Sequence, residues 1–149
     1  RDGATAAKAP GALNGIIETP GDIDNFKFTA KKGQKFDIRV YARNTLRSPL
    51  DSVLRLTDAS GKQLAFNDEY EDPGAGLVTH HADSLLRVAL PADGAYFLHL
   101  GDIQQHGAPT YAYRLRISPP RHDFELRIVV KTRAAELLAI GTAVVVEDA

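Results

Sequence analysis

Hydrophobic and polar residues alternate along most of this chain, and a period of two residues is the pattern of a half-buried β-strand. Phe26 and Phe28, for example, alternate with the polar residues Asn25 and Lys27. The same alternation recurs six more times, at Phe36/Ile38/Val40, Leu54/Leu56, Leu86/Val88/Leu90, Tyr96/Leu98/Leu100, Tyr113/Leu115/Ile117 and Phe124/Leu126/Ile128/Val130. The pattern predicts about eight to ten short strands.

Turn-forming residues separate the predicted strands. Pro20-Gly21, Lys32-Gly33, Ser60-Gly61 and Asp93-Gly94 all lie between apolar runs, and these residue types accept turn geometry. No helical pattern of three or more turns precedes residue 132. Short, regularly spaced strands with such turns predict an all-β fold, an antiparallel sandwich or barrel, rather than a parallel α/β fold.

Composition limits the classes of function. The chain has 149 residues, enough for one domain and a fragment of a second, and its net charge of -1 gives no field of one sign to hold nucleic acid. No apolar run approaches the length of a membrane span, so we expect no membrane insertion. Cysteine is absent, which excludes disulfides and thiolate metal sites. Methionine is also absent, and we expect a piece of a longer precursor whose signal peptide lies outside this sequence.

Acidic and amide side chains stand at the ends of predicted strands between residues 48 and 83, around a long connection that carries several carboxylates. Calcium takes six to eight oxygen ligands in flexible geometry, so it suits such a set. The residues that we expect to bind it are Asp51, Asn67, Asp68 and Asp83. Further metal or ligand contacts are expected from Asp22, Asp24, Tyr70, Asp72 and His81. The alternative is that these residues cap turns and strand ends with solvated carboxylates.

Catalytic constellations are weak in this sequence, and we predict that the chain is not an enzyme. The serines lie in no G-x-S-x-G elbow, and there is no H-E-x-x-H motif and no P-loop. His81 and Asp83 would share one face of a strand, but a zinc hydrolase needs a third ligand nearby. A metal-dependent hydrolase therefore remains only the second alternative function.

Four segments carry a family resemblance. They read NGIIETPGDIDNFKFTAKKGQKFDIRVYA, SPLDSVLRLTDASGKQLAFND, ADSLLRVALPADGAYFLHLGD and YAYRLRI. In this order, over residues 12–118, the chain resembles the bacterial pre-peptidase C-terminal (PPC) domain, which is related to the collagen-binding domains of clostridial collagenases. The resemblance implies a jelly-roll-like β-sandwich and an accessory module of exported bacterial proteins. Family members bind calcium near an acidic linker before the first strand, but here residues 1–10 contain a single acid, Asp2.

The resemblance also implies a domain boundary. THHAD at residues 79–83 and SPPRHDFELRIVV after it are similar to the version of the module in large planctomycete-type surface proteins, where an immunoglobulin-like domain commonly follows. Pro119 and Pro120 fit a boundary because consecutive prolines stiffen the chain. We therefore predict a PPC-like sandwich over residues 1–120. Residues 121–149 are predicted to be a linker and the truncated start of the next domain, or else extra edge strands of the same sandwich.

These expectations define the predicted function. The chain is expected to be an accessory or structural module of a larger exported bacterial protein, secreted, at the cell surface or periplasmic, with calcium as its cofactor. Its partners would be neighbouring domains of the same polypeptide. The first alternative is a ligand-binding module that directs an attached hydrolase to an extracellular protein or polysaccharide. An exposed face lined with Tyr or Phe would favour that alternative over a spacer.

Overall fold

The structure is a computed structural model that describes residues 3–71, 80–81 and 83–120, with only the backbone described at 70–71 and 80–81. Nine strands form two facing sheets. In spatial order, the first sheet contains β1 (Thr5–Ala6), β3 (Ile23–Ala30), β10 (Gly94–Asp102), β5 (Ser52–Asp58) and β6 (Gln63–Asn67). The second sheet contains β2 (Gly11–Ile16), β11 (Ala112–Ser118), β4 (Lys35–Tyr41) and β9 (Leu85–Ala89). A separate pair joins β7 (Tyr70–Glu71) to β8 (His80–His81).

Successive strands alternate between the two sheets, apart from the β5–β6 hairpin. Without β1, the spatial orders are β3-β10-β5-β6 and β2-β11-β4-β9, which is the strand order of a jelly roll. The predicted all-β sandwich is therefore confirmed. One strand pair departs from the antiparallel pattern, since β1 pairs parallel with β3. The reason is that β2, which lies between them in sequence, belongs to the other sheet and runs in the opposite direction. The chain therefore runs in the same direction in β1 and β3.

The hydrophobic core lies between the sheets and is built from the alternating positions of the strands. Phe28, Phe36 and Tyr96 meet towards one end of the core, with ring centroids 5.8 Å apart for Phe28 with each of the other two. The leucines of β5 and β10 face the apolar residues of β4 and β11 across the sandwich. The fully buried members include Ile38, Val40, Leu54, Leu56, Leu98, Leu100, Leu115 and Ile117.

One end of the sandwich carries the longer connections between strands, and we call it the loop rim. Among the described residues it contains 17–22, 42–51, 67–71, 80–81, 83–84 and 102–111. These segments meet because β2, β4 and β10 end here, while β3, β5 and β11 begin here. The chain leaves β11 at Ser118, which lies at the opposite end.

The helical content of the described residues is one short turn, α1 (Arg43–Leu46), between β4 and β5. No helix in this part of the protein is long and apolar enough to cross a membrane. Arg47 follows α1 in the left-handed conformation, with φ of 58°. The helix therefore ends in a conformation that favours glycine.

Candidate functional site

Three consecutive residues at the loop rim, Asp83 to Leu85, each bind a different element. The buried carboxylate of Asp83 accepts hydrogen bonds from the backbone N–H groups of Arg43 (2.8 Å) and Asn44 (3.3 Å), at the start of α1. Ser84 donates its backbone N–H to the hydroxyl of Ser52 at 2.8 Å, and both serines are fully buried. Asp83 and Ser84 thus join β9 to α1 and β5.

Asn67 completes this connection from the end of β6. Its side-chain oxygen accepts a hydrogen bond from the backbone N–H of Leu85 at 3.0 Å, and its amide nitrogen donates to the backbone oxygen of Glu69 at 2.7 Å. Both polar atoms of this side chain are therefore hydrogen-bonded to backbone groups. Asn67 links the edge strand of the first sheet to β9 in the second.

Asp51 lies at the same rim, immediately before β5. Its backbone N–H donates to the carboxylate of Asp102 at 2.9 Å. Burial raises the pKa of the Asp51 carboxyl, and the nearby charges of Asp102, Glu69 and Asp68 raise it further, while Arg43 opposes them. Negative charge is therefore concentrated around Asp51.

The four predicted calcium ligands thus lie along one rim, but their roles differ. Asn67 and Asp83 bind backbone groups, as the capping alternative expects, whereas the carboxylates of Asp51 and Asp68 accept no hydrogen bond within the described residues. In residues 3–71, 80–81 and 83–120, no three His, Asp or Glu side chains are grouped so as to hold a metal ion. Asp72 lies outside the described residues, as do the side chains of Tyr70 and His81. The calcium site stays a prediction.

Asp22 and Asp24 lie at the start of β3 and have separate partners. A carboxylate oxygen of Asp22 accepts a hydrogen bond from the backbone N–H of Glu18 at 3.2 Å. Asp24 accepts a hydrogen bond from the hydroxyl of Tyr113 on β11. Burial raises the pKa of the Asp24 carboxyl, and Asp22 and Glu18 add to that effect against the hydrogen bond from Tyr113. Asp24 therefore acts in the contact between the two sheets.

Sequence reasoning missed Asp102, which organises the loop between β10 and β11. Its carboxylate is buried and accepts backbone N–H groups from Asp51 (2.9 Å), Gln104 (3.0 Å) and His106 (3.0 Å). Gln105, inside this turn, has φ of 59°. An Asp at the end of a strand is the signal for such a turn, and it could have identified this residue.

The imidazole ring of His99 is held by side chains on the neighbouring strands. It lies half-buried on the outer face of β10, with Nδ1 2.6 Å from the side-chain oxygen of Asn25 and Nε2 3.1 Å from the hydroxyl of Thr57. Both ring nitrogens therefore have partners. The buried serines at positions 52 and 84 are likewise bonded to each other.

A groove of about 350 Å³ opens on the outer face of the first sheet, next to the loop rim. Its walls include Ile23, Phe66 and Ile103, which are 50%, 49% and 43% exposed, and its floor includes Gly101. Arg55 lies at one end of it. Asp22 and Asp102 line the end next to the rim. The surface thus combines apolar side chains with a cation at one end and carboxylates at the other, and it did not emerge from the sequence pattern.

Comparisons with known proteins agree with this architecture. The model of the bacterial pre-peptidase C-terminal domain family matches residues 22–101. A probable subtilase-type serine protease of Deinococcus radiodurans is 42% identical over 85 residues, which are 57% of this chain and 10% of that protease. The chain thus matches about a tenth of the length of this curated relative.

A solved structure of the same family shows the same fold. The pre-peptidase C-terminal domain of a Bacillus anthracis collagenase aligns with a TM-score of 0.50 at 14% identity, over 76% of this chain and 93% of that domain. A periplasmic inhibitor of g-type lysozyme from Salmonella Typhimurium aligns with a TM-score of 0.49 at 18% identity, over 78% of this chain and 98% of the inhibitor.

The class of protein follows from the strand order and these matches: the chain is a bacterial jelly-roll domain of the kind that forms a small part of a larger polypeptide. It belongs to the bacterial pre-peptidase C-terminal (PPC) domain family. The boundary predicted at residues 120 and 121 stays a prediction, because residues 121–149 lie outside the described part of the chain.

Proposed function

We propose that this chain is a non-catalytic accessory module of a larger exported bacterial protein, and that it acts as a folded spacer between neighbouring domains. The observation that carries this proposal is the match to a tenth of a subtilase-type protease. A domain that occupies so small a share of a protease is an addition to the catalytic unit. Export is part of the same proposal, and membership of a family whose modules are expected in exported bacterial proteins supports it.

The roles of polar side chains in the described residues support the proposal. His99 uses both ring nitrogens to hold Asn25 and Thr57, and Ser52 and Ser84 bind each other in the interior. A serine nucleophile needs an accessible hydroxyl and a nearby base. These side chains instead stabilise the sandwich, which is the property that a spacer requires.

Replacing the module in its parent polypeptide tests the proposal. A Gly/Ser linker in place of residues 12–118 should leave kcat/KM on a small soluble substrate within about twofold of the parent, a change worth less than about 0.5 kcal/mol. The half-life of the parent under proteolysis should fall, because a flexible linker is cleaved where a folded domain is not. Hydrolysis by the purified 149-residue chain would contradict the proposal, and so would loss of activity on the soluble substrate.

We also propose that calcium stabilises the loop rim through the predicted shell of Asp51, Asn67, Asp68 and Asp83. The raised pKa of Asp51 supports this proposal, because burial and neighbouring carboxylates make its ionised form unfavourable. A bound cation would offset that repulsion, and its binding would be coupled to folding by mass action.

Thermal unfolding in excess calcium and then in chelator tests the calcium proposal. Calcium should raise the Tm of the wild-type chain. Asp51→Asn should raise the Tm in chelator, where it removes repulsion, and should abolish the response to calcium. Asp93→Asn, on a surface turn at the opposite end, is the matched control and should respond to calcium like the wild type. Equal midpoints in calcium and chelator for the wild type would remove the site and leave the spacer proposal intact.

A further inference from the structure

The groove beside the loop rim gathers the exposed apolar side chains of the domain. Five large hydrophobic residues are exposed among the described residues, and three of them, Ile23, Phe66 and Ile103, line this groove. Single exposed hydrophobic residues are ordinary on a protein surface, but a cluster of them around a concave site marks a binding surface. The remaining two, Ile16 and Leu46, lie elsewhere.

The floor of the groove exists because β10 carries a glycine, Gly101, one residue before its end. Gly101 pairs with Ile23 on β3 and with Val53 on β5, so the two apolar side chains stand on either side of a position without one. A Cβ at Gly101 would lie 3.3 Å from the backbone oxygen of Asp22 and 3.6 Å from the side chain of Ile23. The groove therefore runs along the strand direction, between β3 and β5.

The end of the groove away from the rim carries a positive charge. Arg55 is exposed, and the register places it opposite His99 on one side and Phe66 on the other. Its guanidinium makes no ion pair and no hydrogen bond within the described residues, and His99 is held by Asn25 and Thr57. Arg55 lies two residues from Val53 along β5, a distance of about 7 Å. A ligand that fills the apolar part can thus reach the guanidinium with an adjacent group.

We propose that this groove binds a short, extended segment of a protein partner in which an apolar side chain stands next to a carboxylate. The apolar side chain enters between Ile23, Phe66 and Ile103, and the carboxylate pairs with Arg55. Charge complementarity at the Arg55 end selects this occupant, since an arginine fork matches a carboxylate. The two carboxylates of the lining, Asp22 and Asp102, lie at the rim end and accept backbone N–H groups. The inference rests on the accessory role proposed above, to which it adds a partner, and it is independent of calcium.

A carbohydrate fits the same surface less well. Sugar recognition depends on flat aromatic platforms, whereas the groove has one aromatic ring and two isoleucines on its walls. The polar side chains of Asn25, His99 and Asp102, which could otherwise have bound hydroxyl groups, are committed to neighbours within the domain. An aliphatic pocket beside one cation suits a peptide side chain better than a sugar ring.

The test uses the full 149-residue chain, labelled with ¹⁵N for NMR titration. The probes are the capped pentapeptide acetyl-Gly-Leu-Glu-Leu-Gly-amide, the same peptide with Gln in place of Glu, and cellotetraose. The Glu peptide should shift the backbone amide signals of Val53, Phe66 and Gly101, with a Kd of about 0.1–1 mM, as expected for a small groove. It should bind about two- to fivefold more tightly than the Gln peptide, the range measured for exposed ion pairs.

Matched variants separate the two parts of the site. Arg55→Gln should abolish the difference in affinity between the Glu and Gln peptides. Arg114→Gln, which replaces an exposed arginine on the other sheet, should retain that difference. Phe66→Ser should weaken the binding of both peptides at least about fivefold, because it removes one buried apolar contact. Leu46→Ser, which removes an exposed leucine outside the groove, should leave both affinities unchanged. Unaltered amide spectra away from the substituted positions establish that each variant is folded.

Three results would overturn the inference. The first is the absence of shifts at Val53, Phe66 and Gly101 at peptide concentrations tenfold above the expected Kd. The second is equal affinity for the Glu and Gln peptides in the wild type. The third is a response to cellotetraose in the groove without one to the peptides, which would make it a glycan site. Each of these results leaves the spacer proposal standing, because that proposal is judged by the parent's kcat/KM and half-life.

Discussion

The hydroxyl of Tyr113 on β11 donates a hydrogen bond to the carboxylate of Asp24 on β3, and this bond joins the two sheets of the sandwich close to the loop rim. The two residues are 89 positions apart in sequence. Gly15 on β2 lies opposite Tyr113, and a Cβ there would overlap the phenol ring. The ring therefore reaches Asp24 across a position that has no side chain.

Tyr113→Phe should destabilise the domain by about 1–3 kcal/mol, because it removes a hydrogen bond to a charged group that is partly buried. Chemical denaturation at pH 7 measures this loss. Tyr111→Phe is the matched control, since Tyr111 packs against the core without a side-chain hydrogen bond in the described residues, and it should change the stability by less than about 0.5 kcal/mol. Equal losses in the two variants would show that the bond to Asp24 does not contribute.

Gly15→Ala should destabilise the domain by about 1–3 kcal/mol, the usual cost of inserting a methyl group into packed space. The added Cβ would push the Tyr113 ring away from Asp24. Combining Gly15→Ala with Tyr113→Phe therefore tests a shared cause in a double-mutant cycle. The combined loss should be smaller than the sum of the single losses, and strict additivity would contradict this account.

The ionisation of Asp24 should make the domain less stable as the pH rises. Because burial raises the pKa of Asp24 in the folded state, the folded protein binds this proton more tightly than the unfolded chain does. The resulting stabilisation is complete below the unfolded pKa of about 3.9 and is lost as the pH rises through the folded pKa. Asp24→Asn retains an acceptor for Tyr113 and does not ionise.

Thermal unfolding between pH 3.5 and pH 7 measures this effect. The Tm of Asp24→Asn relative to the wild type should increase over that interval. Asp58 provides a control of opposite sign, since hydrogen bonds from Ser60 lower its pKa. Asp58→Asn should lose stability relative to the wild type as the pH rises. A constant difference between Asp24→Asn and the wild type would contradict the prediction.

Asp83→Ala should destabilise the domain by about 2–4 kcal/mol, because it leaves the backbone N–H groups of Arg43 and Asn44 without their buried acceptor. Asp93→Ala removes a single exposed bond to the backbone N–H of Lys32 and should cost about 1 kcal/mol or less. Denaturation in calcium and in chelator distinguishes the two roles of Asp83. A purely hydrogen-bonding role predicts the same loss in both solutions, and a loss seen only in calcium would assign Asp83 to the metal.

Arg47→Gly should stabilise the domain by about 0.5–1 kcal/mol. Arg47 is exposed and ends α1 with φ of 58°, a conformation that costs a residue with a Cβ more than it costs glycine. Gly33→Ala is the reverse case, since Gly33 has φ of 79° and open space around it. The Gly33→Ala variant should lose about 1 kcal/mol of folding stability, which thermal unfolding measures. Destabilisation by Arg47→Gly would show that its side chain contributes more than the strain costs.

Much of the fold could be predicted because local pattern and global burial coincide in a sandwich. Phe36, Ile38 and Val40 alternate in sequence, and the same alternation places them in the core between the sheets. The parallel pairing of β1 could not be predicted, because residues 5–6 carry too little pattern to specify a neighbour. Its direction depends on where β2 crosses to the other sheet.

The candidate site was predictable only in part. Asp51, Asn67 and Asp83 could be placed at strand ends from the sequence, and the structure brings them to one rim. Their hydrogen-bonding partners could not be inferred, because the donors to Asp83 lie 39 and 40 positions away. Asp102 was overlooked because a single acid after a strand is common in turns.

The amino-acid sequence by itself determined that this chain forms a β-sandwich, since period-two alternation leaves each strand with one apolar face that must be buried. Tertiary structure alone decided what the polar residues do. Asp24 meets Tyr113, and Arg55 stands beside Phe66, only because strands far apart in sequence become neighbours in the jelly roll. The physical reason is that burial is encoded locally, residue by residue, whereas a hydrogen bond or a groove requires two or more segments to be placed together.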